Sequence, residues 1–157
     1  MRAEQPAPRS LSPVRPHGVR ACAADDLPSG TTAAGALAAD IDAGTLPYAG
    51  MLVPSPVNGA HDGTLAQADA WLQDWMPRIM AGPDYRSGRL AVVITFDEGV
   101  GANQNIPFVA VHQSLADAVV STPITHYGLL RMYEDVLGVP PLGLASTEPG
   151  LRGAFGL

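Results

Sequence analysis

The sequence predicts an α/β protein: a largely parallel sheet with helices on both faces. Three observations carry that prediction. Leu90 to Phe96 is an almost continuous apolar, β-branched run, as expected of a central strand covered on both sides. The segments around it repeat apolar residues at three- and four-residue steps, the period of a helix. Read in order, the elements run α-β-α-β-β-α, the alternation that layered α/β folds produce.

Each element has a local justification. Residues 1–20 combine prolines and arginines with few apolar groups, and they read as an unstructured lead-in to a unit covering 21–157. From Thr31 to Ala43 the chain is Ala-rich, with Leu37 and Ile41 four residues apart. A short helix is expected there, ended at Gly44, the residue type that tolerates a left-handed closing conformation. Tyr48 to Val53 reads as a short buried strand, stopped by Pro54. Thr64 is placed to cap the next helix, in which Leu65, Ala68, Trp71, Leu72, Trp75, Met76 and Ile79 form one stripe. That stripe assigns Trp71 and Trp75 to the core. Pro77 lacks a backbone donor, so the last turn should kink or end there. The strand Leu90–Phe96 stops abruptly at Asp97-Glu98-Gly99, and Ile106 to Val111 reads as its neighbour. Thr125 then caps a helix with Leu129, Leu130, Tyr133, Val136 and Leu137 on one side, closed by Gly138 and Pro140-Pro141.

Composition removes several classes of function. Seventeen glycines and fifteen prolines in 157 residues exclude a coiled coil or a simple helical bundle. A formal charge of −6 argues against a nucleic-acid-binding surface or an anionic-membrane surface, since both need clustered positive charge. All nine basic residues are arginines, so neither a Schiff-base lysine nor a P-loop lysine is available. Cys22 is the sole cysteine, which rules out an internal disulfide and a Cys-rich zinc site. No stretch reaches the ~18 apolar residues of a membrane span. The N-terminus has no apolar core of a secretory signal, so the chain as written is expected to stay in the cytoplasm.

Three clusters of reactive side chains fall where strands give way to helices. Asp97 and Glu98 close the most apolar strand, and paired carboxylates at a strand end suit a hard cation. The plainer alternative is a solvated turn. His61 and Asp62 lie in the loop SPVNGAHDG, where they could ligate metal, orient a phosphate or move protons. Alternatively, Asp62 only favours the following helix N-terminus and His61 is a loop residue. His126 opens the last helix, where a surface role is the alternative to a pocket role. His17 and His112 have no acidic neighbours in sequence and receive no role. The serines lack a G-x-S-x-G elbow, and GVGAN precedes no helix pattern, so neither a serine-hydrolase elbow nor a dinucleotide loop is indicated.

The succession GTLPYAGMLVPSPVNGAHDGTLAQADAWLQDWMPRI, YRSGRLAVVITFDEG, IPFVAVH, THYGLLRMYEDVLGVPPLG and LRGAFGL resembles the bacterial phosphoesterase family. That family includes acid phosphatases and phospholipase C-type enzymes and has an alkaline-phosphatase-like α/β fold. The similarity covers about Arg20 to Leu157 and corresponds to the C-terminal half of such an enzyme, so the fold is expected to be incomplete. The resemblance implies a metal-assisted phosphoric-ester hydrolase in which a Ser or Thr attacks phosphorus. Carried over by position, Asp97 and Glu98 would be ligands of a divalent metal ion. His61, with Asp62 beside it, and His126 would act catalytically at the phosphate.

This chain departs from the family pattern in four ways. It has no Glu-Asn pair of the family's early metal motif and no segment matching the nucleophile. The typical His-Tyr-Ser reads His126-Tyr127-Gly128 here, and Cys22 is left without the family's second cysteine. The alternative is therefore a truncated, non-catalytic half-domain that keeps at most a metal or phosphate site. The implied partner is a phosphate-ester small molecule or a phospholipid, with self-association possible through an exposed sheet edge. The family is mostly exported or envelope-associated.

Overall fold

A computed structural model describes residues 30–157 apart from 100, 103 and 118. The predicted lead-in, His17 and Cys22 lie outside the described residues.

The first helix, α1, spans Ala36–Ala43 and is shorter than the Thr31–Ala43 expected from composition. Thr31 takes the preceding residues into a turn instead. Its backbone N–H donates to Ala34 O at 2.8 Å, and its hydroxyl accepts from the Ala34 N–H at 3.1 Å. Such local bonds compete with helix. The other end matches the prediction: Gly44 closes α1 with φ 66° and ψ 39°.

Helix α2, Leu65–Ala81, starts with a complete capping box. The Thr64 hydroxyl accepts from the Gln67 N–H at 3.2 Å, and Gln67 Oε1 accepts from the Thr64 N–H at 2.8 Å. The helix runs through Pro77 rather than stopping there. Trp75 is buried, and Trp71, half-buried, lies with its ring centroid 6.3 Å away. Arg78, near the end of α2, donates to Asp42 Oδ2 at 2.6 Å and ties α2 to α1. Between them Gly82 is wedged so tightly that a Cβ would sit 2.9 Å from Ile41 Cγ2 and 3.0 Å from Ile41 O, which only glycine accommodates.

A single turn, α3 (Pro83–Arg86), follows. Asp84 in it is buried. Its carboxylate accepts from the Leu46 N–H at 3.2 Å and from Arg89 Nη2 at 2.7 Å, pinning three segments together.

The sheet consists of β1 (Val92–Thr95) and β2 (Phe108–Val111), antiparallel, with Val92 opposite Val111 and Thr95 opposite Phe108. Both lie inside the predicted runs and are neighbours, as predicted. Their antiparallel pairing follows from the connection: the described residues between 96 and 107 form no helix, and a parallel partner needs a crossover. An antiparallel pair also occurs at the edge of otherwise parallel sheets. Tyr48–Val53, expected as a buried strand, forms none among the described residues. Met51 is 74% and Val53 71% exposed. A strand is completed only by a partner, and this segment has none here.

Helix α4, His126–Leu137, is capped by Thr125, whose hydroxyl accepts from the Tyr127 N–H at 3.1 Å, and closed by Gly138 at φ 67°. A 3-10 turn (Gly143–Thr147) and α5 (Leu151–Phe155) complete the chain, with Ala145 and Leu151 fully buried against α4. Phe155 stacks on Phe108, centroids 5.9 Å apart, and so joins α5 to the sheet. Among the described residues no helix is long and apolar enough to cross a membrane.

Candidate functional site

Two of the three clusters meet in space. β1 delivers Asp97 just past its carboxyl end, and Thr125 sets the start of α4 so that His126 faces it. His126 Nε2 lies 2.7 Å from Asp97 O. A carbonyl only accepts, so Nε2 carries the proton and donates, and the ring is held by the strand end. Nδ1 is then the nitrogen left to meet a ligand. The Asp97 and Glu98 side chains are exposed, and neither carboxylate accepts a hydrogen bond from a described residue. They are free to meet a cation. The start of α4 is already capped: the Tyr127 N–H donates to Thr125 Oγ1 at 3.1 Å, and the Thr125 hydroxyl donates to Glu148 Oε1 at 2.9 Å, so a carboxylate already faces it. The strand end and helix start thus bring the His126 imidazole onto the backbone of Asp97, whose exposed side chain is followed by that of Glu98.

The third cluster stands apart in its contacts. The loop after Val53 is a compact turn: Gly59 N–H donates to Ser55 O at 2.7 Å, and the N–H groups of His61 and Asp62 donate to Pro56 O at 2.9 and 3.1 Å. Ala60 is forced to φ 64°, a left-handed conformation that costs a residue with a Cβ about 1–2 kcal/mol. Strain of this kind gathers at functional loops. It presents His61 and Asp62 to solvent, 80% and 67% exposed, with Nε2 4.0 Å from Oδ1. Among the described residues no hydrogen bond or ion pair joins them to Asp97, Glu98 or His126.

A divalent cation would find only part of its cage here. Among the described residues no group of three or more His, Cys, Asp or Glu side chains could hold a metal. Asp97 and Glu98 offer two oxygen ligands, and the Nε2 of His126 is already committed to a carbonyl.

Sequence reasoning missed four polar arrangements. His112 Nδ1 accepts from the Ser114 N–H at 3.1 Å while its Nε2 donates to Gly88 O at 3.0 Å, so this histidine staples β2 to the turn before β1. Asp84 and Glu134 are buried acids; Glu134 Oε1 accepts from the Leu142 N–H at 2.8 Å and tethers the chain after α4. For Asp84 the signal was legible: a proline at the first helical position followed by a first-turn acid. Tyr133 on α4 donates to Gly50 O at 3.1 Å, and burial raises its phenol above the ordinary value of 10.0.

Comparison with known proteins covers all three clusters. The model of a family described as the phosphoesterase family matches residues 15–138. A phosphatidylinositol-3-phosphatase of Mycobacterium tuberculosis (strain ATCC 25618 / H37Rv) is 30% identical over 112 residues, 71% of this chain. That alignment covers 37% of the relative, so the chain spans well under half of its length. No solved structure matches.

Proposed function

This chain belongs to the phosphoesterase family, and we propose that it acts in the metal-assisted hydrolysis of phosphoric esters. The observation that carries this reading is the contact of His126 with Asp97. It ties the first residue of α4 to the backbone at the end of β1, 29 residues earlier in the chain, where Asp97 and Glu98 follow the strand. In the proposed site His126 Nδ1, the acceptor nitrogen while Nε2–H donates to Asp97 O, accepts from a protonated phosphoryl oxygen. Asp97 and Glu98 would supply two ligands to a divalent cation, which would neutralise charge on the transferring phosphoryl group. His61 and Asp62 make no described contact with this site and are given no step in the proposed reaction. The group that attacks phosphorus is assigned to no residue of this chain. The surrounding sheet is proposed as the largely parallel, alkaline-phosphatase-like one, with β1 and β2 as a local antiparallel pair.

The relative's name suggests a phosphorylated inositol lipid as the first substrate to try, a monoester rather than a phospholipase C-type diester. The chain's span of 37% of that relative favours a second reading, in which it binds phosphate or cation without turnover on its own. Hydrolysis of p-nitrophenyl phosphate across a panel of divalent cations and pH values separates the two. Turnover lost on Asp97→Ala supports the enzyme reading. Absence of turnover, together with stabilisation of the fold by cation plus phosphate, supports the binding reading. Neither response defeats both.

A further inference from the structure

The sheet keeps an open edge. Among the described residues β2 pairs with β1 alone, so the outward backbone N–H and C=O groups of β2 have no strand partner. A groove of about 520 Å³ runs beside them. Phe108, Val109 and Ala110 are consecutive, and all three line it. Consecutive side chains of a strand point to opposite faces, so the groove follows the edge of β2 rather than covering one face. Its other walls include Leu115, Val119 and Phe155, and no charged side chain lines it. Apolar pockets flanking unpaired backbone are the chemistry that captures an extended polypeptide, whose main chain completes the ladder.

The same molecule carries a segment of matching character. Tyr48–Val53 has strand composition but no strand partner among the described residues; Gly50 O accepts from the Tyr133 hydroxyl at 3.1 Å, so the backbone edge left to pair is that of Met51 and Val53, 74% and 71% exposed. Pro47 and Pro54 bracket it, which limits any pairing to the residues between them. From Leu46 to Ala60 there is no charged side chain. Two copies that each carry −6 repel in general. A neutral strand entering a neutral groove is the contact least opposed by that repulsion.

We propose that Tyr48–Val53 of one copy adds as a strand to the open edge of β2 in a second copy, with Met51 and Val53 seated in the groove. Donor and acceptor surfaces differ, so the contact is heterologous. One added strand buries less than the ~1,200 Å² of a standard interface, so the association is weak.

The test uses sedimentation velocity from about 10 µM to 1 mM, the range in which weak contacts register. Wild type is expected to associate with rising concentration. The donor variant Met51→Asp/Val53→Asp and the acceptor variant Val109→Asp each place charge at an exposed site, and each should weaken association by about tenfold or more. Thermal melts confirm that both remain folded. Mixed one to one, they should form dimers and nothing larger, because the intact donor of one meets the intact groove of the other. A wild type that stays monomeric throughout overturns the proposal. So does a Val109→Asp protein that associates like wild type, or a mixture that stays monomeric.

Discussion

Replacing Asp84 by alanine tests whether the amino-terminal half is held by one buried carboxylate. Two bonds are lost. The Leu46 N–H, half-buried, donates to Asp84 Oδ2 at 3.2 Å and has no other described acceptor, so leaving it unsatisfied costs about 1–3 kcal/mol. Arg89 Nη2 lies 2.7 Å from Oδ1, but the Arg89 side chain is 63% exposed and rehydrates, so its share is about 0–1 kcal/mol. The first-turn position of Asp84 in α3 adds a few tenths of a kcal/mol through the helix start. The sum is about 1.5–4 kcal/mol. For a chain of this size that lowers Tm by roughly 2–4 °C per kcal/mol. Urea unfolding at pH 7, followed by circular dichroism, measures it. Arg89→Ala should cost under about 1 kcal/mol, because it leaves the Leu46 bond in place. An Asp84→Ala protein within ~0.5 kcal/mol of wild type would refute the reasoning, as would an Arg89→Ala protein that loses as much.

Two further outcomes follow from geometry. Ala60→Gly relieves the left-handed strain at φ 64° and should stabilise the fold by about 0.5–1 kcal/mol after the added chain entropy of glycine, read as a rise in the urea midpoint. Burial raises the Tyr133 phenol, so the folded chain holds that proton where the unfolded chain, with its ordinary value of 10.0, releases it. Above that pH the unfolded state binds fewer protons, and stability is lost as pH rises through the folded value, while it is fully present below 10. Tyr133→Phe should flatten this alkaline slope and, at neutral pH, cost about 0.5–1.5 kcal/mol for the lost bond to Gly50 O. An unchanged slope in the variant contradicts the burial.

Helix ends were the most legible part of the sequence because their chemistry is local. Gly44, Thr64 and Gly138 act within a few residues of themselves, and each ends or starts its helix as read. The runs Leu90–Phe96 and Ile106–Val111 contain β1 and β2, since continuous apolar character marks strands whatever their partners. Tyr48–Val53 was misread for the complementary reason: a strand needs a neighbour, and none of the described residues pairs with it. Thr31 was misread because its own hydroxyl bonds the Ala34 N–H and diverts the helix start.

The site was legible in pieces. Asp97, Glu98 and His126 could be nominated separately from their places at element boundaries. Their meeting depends on where the first residue of α4 comes to lie relative to the end of β1, which no spacing encodes. Asp84 and Glu134 escaped notice because acids read as surface groups until a distant N–H, from Leu46 or Leu142, gives them a reason to be buried.

The central claim is that Asp97, Glu98 and His126 form one phosphate-binding site that a divalent cation completes. Calorimetric titration of inorganic phosphate, with and without divalent cation, tests it most directly on wild type, Asp97→Ala and His126→Ala. The account predicts cation-dependent phosphate binding in wild type, loss of the cation dependence in Asp97→Ala, and binding weakened about tenfold or more in His126→Ala, the scale of a charge-assisted hydrogen bond. Phosphate binding that ignores both substitutions, or none in wild type at any cation concentration, would contradict it.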